Sequence, residues 1–195
     1  MWKILAAVVA STVLAGCASL NTLASDVTSY SQWPADRKPG TYAFERLPSQ
    51  QSQPEAQARL EDAARRALEG AGFTEVAGGG TPEYTVQLGA RVTRYDRSPW
   101  DDPFWRPYGA FGWWGPRGPY WGWGLRYDVA PRYDREVAVL IRDRKSGTPL
   151  YESRAANESG ASADTATLAA MFEAALKDFP QPAVNPRRVS VQLSK

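Results

Sequence analysis

Residues 83–95 read EYTVQLGARVTRY, and this stretch decides the fold. Tyr84, Val86, Leu88, Ala90 and Val92 alternate with Thr85, Gln87, Arg91 and Thr93. A period of two puts the two sets on opposite sides of an extended chain, so residues 83–95 are predicted as a half-buried antiparallel strand. Upstream the period changes. In residues 55–72 (EAQARLEDAARRALEGAG), Leu60, Ala64, Ala67, Leu68 and Ala71 make one helical stripe. Glu61/Arg65 and Asp62/Arg66 are i,i+4 pairs on the other face, read as solvated. Pro54 suits the first turn of that helix, and Gly70 and Gly72 mark its end. Gly78-Gly79-Gly80 is a turn rather than a phosphate loop, because it lacks GxxxxGK[ST] and leads into a strand.

Further out, Asp26–Tyr30 and Thr41–Leu47 are predicted strands separated by the turn-rich Pro34–Gly40. Downstream, Arg135–Arg142 and Pro149–Ala155 form a predicted hairpin around Lys145-Ser146-Gly147. Asp164 caps a second helix over residues 165–179, whose Leu168, Met171, Phe172, Ala175, Leu176 and Phe179 form a wide apolar stripe. Met171 and Phe172 are read as core. Pro180 and Pro182 stop the helix, and Val189–Leu193 is a last strand. The order β-β-α-β-insert-β-β-α-β implies an α+β domain: a two-layer sandwich with a mostly antiparallel sheet and two amphipathic helices on one face. A single domain is expected over 26–195.

Composition excludes whole classes of chemistry. The 195 residues include no His and one Cys. Ser-His-Asp triads, Cys-His pairs and His general bases are therefore absent, and so are internal disulfides and Cys/His metal sites. With 23 basic and 21 acidic residues, the formal charge of +2 is too even to imply a polyanion partner.

The amino terminus points to a compartment. Lys3 precedes an apolar run from Ile4 to about Val13, followed by Ala15 and Gly16, which is the layout of a signal peptide over 1–16. Leu14-Ala15-Gly16-Cys17 resembles the lipobox of bacterial lipoproteins. That resemblance implies cleavage between Gly16 and Cys17, acylation of the Cys17 thiol and new amine, and a short tether over 17–25. Three acyl chains hold a protein where one binds only reversibly. Ala18, in place of Asp, implies the outer membrane, with the domain facing the periplasm.

Several further segments share a family pattern. The lipobox, TYAF at 41–44, an alanine-rich helix ending GAGF at 70–73, PEYTVQLGARV at 82–92, a Trp/Gly/Pro-rich interruption and a helix ending DFP at 178–180 follow in order. Over residues 26–182 the chain resembles the bacterial lipoproteins catalogued as domain of unknown function 4136. The resemblance implies a cell-envelope lipoprotein and carries over no catalytic residue.

The interruption is the unusual feature. Residues 95–127 hold six Trp, four Tyr, two Phe, six Gly and five Pro. Gly and Pro at this density exclude a regular helix or central strand. Burying twelve rings does not offset the entropy of ordering 33 residues, so the insert is expected to stay mobile, lean on the sheet or order on a partner. Three readings stand: a loop whose rings partly cover the sheet, a binding surface, or an element seated at the lipid headgroups. The candidate contact residues are Trp100, Trp105, Trp113, Trp114, Trp121 and Trp123, which suit peptidoglycan glycan or an envelope protein. Arg97, Arg106, Arg117 and Arg126 can stack among the rings. Nucleic acid is not expected, given the balanced charge and the compartment.

Catalysis has little footing. Asp101, Asp102, Asp134, Glu136 and Asp143 are the carboxylates weighed for a two-acid hydrolase, and nothing marks a cleft around them. No GxSxG, SxxK or HExxH is present. A non-enzymatic module is expected, without cofactor or metal, held to a membrane by its N-terminal lipid.

Overall fold

The structure, a computed structural model, describes residues 21–76, 80–95, 131–181 and 185–193. Among them lie β1 (Thr22–Ser31), β2 (Thr41–Phe44), α1 (Pro48–Gln51), α2 (Pro54–Gly70), β3 (Thr74–Glu75), β4 (Tyr84–Tyr95), β5 (Arg132–Asp143), β6 (Pro149–Ser159), α3 (Thr165–Leu176) and β7 (Arg187–Gln192). The strands form one mixed sheet in the order β3-β2-β4-β5-β6-β1-β7. Gly78, Gly79 and Pro182, read above as turn and stop, lie outside the described residues.

The expectation of a mostly antiparallel sheet is corrected here. β2 runs parallel to both β3 and β4, pairing Tyr42 with Glu75 and with Tyr84. The reason is the helix between them. A chain that leaves β2, crosses in α2 and rejoins the sheet arrives in the direction it left. The other half is antiparallel: β4 pairs β5 from Tyr84↔Asp143 to Tyr95↔Arg132, and β1 lies between β6 and β7. β1 also starts earlier than Asp26. Thr22–Ser25, read above as the end of a tether, pair with β7 through Ser25↔Val189. Their small polar composition hid the alternation in which Leu23 and Ser25 are buried and Ala24 is not.

One face of the sheet carries the core. Val27, Tyr84, Val86, Leu88, Val137, Val139, Ile141, Tyr151 and Ala155 join residues of both long helices in a single apolar cluster. α2 and α3 pack on each other above it. Two local devices set their ends. Asp164 accepts a hydrogen bond from Thr167 N at 2.7 Å, capping α3 as predicted. At the end of α2, Phe73 N donates to Leu68 O at 3.0 Å and Gly72 N to Glu69 O at 2.9 Å, with Gly72 at φ +92°. This closure needs a left-handed residue, and it drives Phe73 into the core.

Phe73 lands in an aromatic cluster. Trp33 lies 5.7 Å from Phe73, 5.1 Å from Tyr84 and 4.8 Å from Phe179, measured between ring centroids. Tyr42 and Phe44 adjoin from β2. TYAF, GAGF, PEYT and DFP therefore each contribute a ring to one assembly.

Candidate functional site

Cys17, Gly16 and the six insert tryptophans lie outside the described residues, as do Asp101 and Asp102. What is described is the frame from which those segments leave. β4 ends at Tyr95 and β5 begins at Arg132, and these two are directly paired. The β5–β6 register (Tyr133↔Ser159), extended by one position, aligns Arg132 with residue 160. The β1–β6 register, carried four positions past its first pair, Asp26↔Ala156, aligns Thr22 with residue 160 as well. Tyr95, Arg132, Thr22 and Gln192 thus share one row at one end of the sheet. Three strand spacings separate β4 from β1, roughly 14 Å.

This end has a distinct surface. The expected burial of the β4 face holds for Tyr84, Val86 and Leu88 and fails for Ala90 and Val92, which are exposed. Val92 is 45% and Tyr95 52% accessible. The helical cover stops short: Gln50 of α1 donates from Nε2 to Leu88 O at 2.7 Å, and beyond that point the described residues leave β4 uncovered. Arg132 is ion-paired with Glu158 at the same end.

The remaining carboxylates are dispersed. Asp134 and Glu136 project from the face of β5 opposite the core, and Glu136 sits 3.9 Å from Arg154. Asp143 lies at the far end of β5. Its Oδ1 accepts from Ser146 N and Oγ, at 2.8 and 2.9 Å, and its Oδ2 accepts from Arg37 Nη2 at 2.7 Å. The Ser146 backbone amide, then Arg37, hold the Asp143 carboxyl down to about 2. Arg37 also donates to Tyr84 Oη at 2.6 Å, so the group fastens the β5–β6 turn to the aromatic cluster. These acids do not converge.

Two features escaped the sequence reading. The first is a groove of about 840 Å³ between α2 and α3, floored by Ala63, Ala67, Ala169 and Ala170 and flanked by Asp62, Arg66, Glu173 and Lys177. The second is Arg135, which occupies a position in phase with Val137, Val139 and Ile141 and is 4% exposed. Burial lowers its pKa, opposed by the nearby Asp164 carboxylate. A charged residue in the apolar phase of REVAVLIR was the available signal. Among the described residues, no group of three His, Cys, Asp or Glu gathers to hold a metal, and no helix is long and apolar enough to cross a membrane.

Fold and surface together define a mixed α/β domain with a seven-stranded sheet, helices over its core face, and a long insert rooted at one end. The chain belongs to the family described as domain of unknown function (DUF4136), which it matches over residues 26–181. No curated protein matches it. Among solved structures it is similar to a PDZ domain protein from Parabacteroides distasonis, at 13% identity and a TM-score of 0.51. That match covers 87% of this chain and spans only 38% of the other, so the likeness concerns the fold alone. Two crystal forms of the PelC dodecamer from Paraburkholderia phytofirmans, one of them carrying a point substitution, match at 12% and 11% identity. Their TM-scores are 0.38 and 0.39, covering 78% of this chain and 94% of theirs.

Proposed function

We propose that this chain is a lipid-anchored cell-envelope protein of the outer membrane, facing the periplasm, whose domain is a non-catalytic binding or structural module. The aromatic insert is its contact surface, for an envelope protein or a peptidoglycan glycan. The observation that supports this most is the shared row of Tyr95, Arg132 and Thr22. A chain anchored through Cys17 enters the fold at Thr22, so the tether and both ends of the insert leave the domain on one side. The domain is read as two layers, helices over one sheet face, with the alternation along β5 and β6 as support. The opposite face carries Gln87 on β4, Glu136 on β5 and Glu152 and Arg154 on β6, and it acts as the solvated side.

Two measurements test this reading. Cys17→Ser is expected to release the protein from membranes or leave it unprocessed. Unchanged membrane fractionation, with no acyl mass on the mature terminus, overturns the anchor. Replacing Trp113, Trp114, Trp121 and Trp123 with Ala is expected to abolish binding to purified cell-wall material or to a crosslinked partner, with the fold intact. If binding survives all four changes, the insert is not the contact surface.

A further inference from the structure

We propose that Arg135 anchors a binding site for a small monocarboxylate bearing an amide N–H and an apolar side chain, that is, an N-acylated aliphatic amino acid or the equivalent peptide end. The site lies on the core face of β5, where the sheet emerges from beneath the start of α3.

Arg135 is unlike the partly exposed arginines of the fold. Arg37, Arg46, Arg65 and Arg187 each reach a carboxylate: Asp143, Glu61, Glu75 and Asp178. Arg135 is more deeply buried, yet its Nε is sealed from solvent with no acceptor, and it joins no ion pair among the described residues. Asp164 is near enough for its charge to be felt, but its carboxylate is engaged as the cap of α3. A buried guanidinium N–H with no acceptor carries an uncompensated desolvation cost.

The deficit is shared across three strands. Arg135 faces Asn157 on β6, and Ser25 on β1 faces Asn157 from the other side when that register is extended by one. Asn157 donates from Nδ2 to Ala24 O at 2.7 Å, leaving Oδ1 unpaired, and Ser25 Oγ is unpaired too. One row therefore offers a charged donor, a bare acceptor and a hydroxyl that can turn either way. On its other side Arg135 faces the exposed Val92.

These features specify the ligand. The guanidinium calls for an oxyanion, and a carboxylate matches its planar fork. Asp164 close by disfavours a doubly charged phosphate. Asn157 Oδ1 needs a hydrogen, which the amide next to the carboxylate supplies. Val92 and Ala90 accept an aliphatic side chain.

The test titrates the full-length chain with N-acetylleucine at constant ionic strength, reading Tm and the Arg135 Nε–H resonance by NMR. N-acetylleucine is expected to raise Tm and shift that resonance, because a ligand that binds only the native state stabilises it. N-acetylleucinamide, lacking the carboxylate, is expected to do neither. Arg135→Met keeps the stem and is expected to weaken binding on the order of a hundredfold. If that variant does not fold, Arg135→Lys retains the charge without the fork and is expected to weaken binding about tenfold. No response in the natural chain, an equal response to the amide, or unchanged affinity in whichever Arg135 variant folds overturns the site. A pentapeptide ending in leucine separates the two sources: tighter binding than N-acetylleucine identifies a peptide end, and equal binding a free acyl amino acid, with the site upheld in both cases.

Discussion

At the scale of single residues, the fold depends on a few side chains whose partners come from far along the chain. Glu61 is 3% exposed and accepts two bonds from Arg46, at 2.7 and 2.6 Å, plus one from Gln57 at 3.2 Å. Read from sequence, Glu61 was one end of a solvated i,i+4 pair with Arg65; in the fold Arg65 turns instead to Glu75. Arg46→Ala removes two of the three donors to a buried carboxylate and is expected to lower the urea denaturation midpoint. Gly72→Ala forces a left-handed alanine whose Cβ would meet Pro39 Cγ at 3.3 Å, and is expected to cost roughly 1–2 kcal/mol. Asp143 makes a pH prediction. Its folded pKa, about 2, lies below the usual carboxylate value, so its stabilising effect is complete above pH ~4 and is lost as pH falls toward 2. Asp143→Asn is expected to flatten the acid limb of a stability–pH curve, and an unchanged limb would show that other groups govern it.

At the scale of elements, periodicity identified most of what exists and misjudged what covers it. α3 was legible to its cap: Asp164→Ala is expected to lower stability by about 1 kcal/mol, seen as a drop in Tm. β4 was legible as a strand, but its outer half does not meet a helix, so Ala90 and Val92 keep their phase and lose their burial. A pattern reports which side a residue faces, while burial depends on whether another element arrives there. α1 and β3 were missed, being only four and two residues long. β3 exists because Phe73 is pinned in the core and Thr74 N then reaches Gly40 O at 3.1 Å. Its pairing is tertiary in origin.

At the scale of the whole molecule, the sheet has two unlike ends. Trp33 and its ring cluster sit by Tyr84, while the insert leaves from Tyr95, eleven positions along β4, about 35 Å away. If the lipid anchor and the insert both face the membrane, the insert tryptophans and Trp33 must differ in depth. With the protein carrying the lipid proposed at Cys17 and placed on vesicles of brominated lipid, a Trp33→Phe variant is expected to be quenched. A variant keeping Trp33 but with the six insert tryptophans changed to Phe is expected to be spared. Equal quenching of the two would contradict the shared-end geometry as the membrane-facing side.

By itself the sequence determined the element types of the long segments, the cap of α3, the aromatic motifs and the family they mark, because these rest on contacts within a few residues or on composition. Only the tertiary structure decided that β2 is parallel to its neighbours, that TYAF, GAGF, PEYT and DFP share one cluster, that Glu61 and Arg135 are buried, and that the end of β4 and the starts of β5 and β1 lie at one end of the sheet. Each of those depends on which strands become neighbours. Strand order is set by how the helices carry the chain across the sheet, a choice made by global packing that no local period encodes.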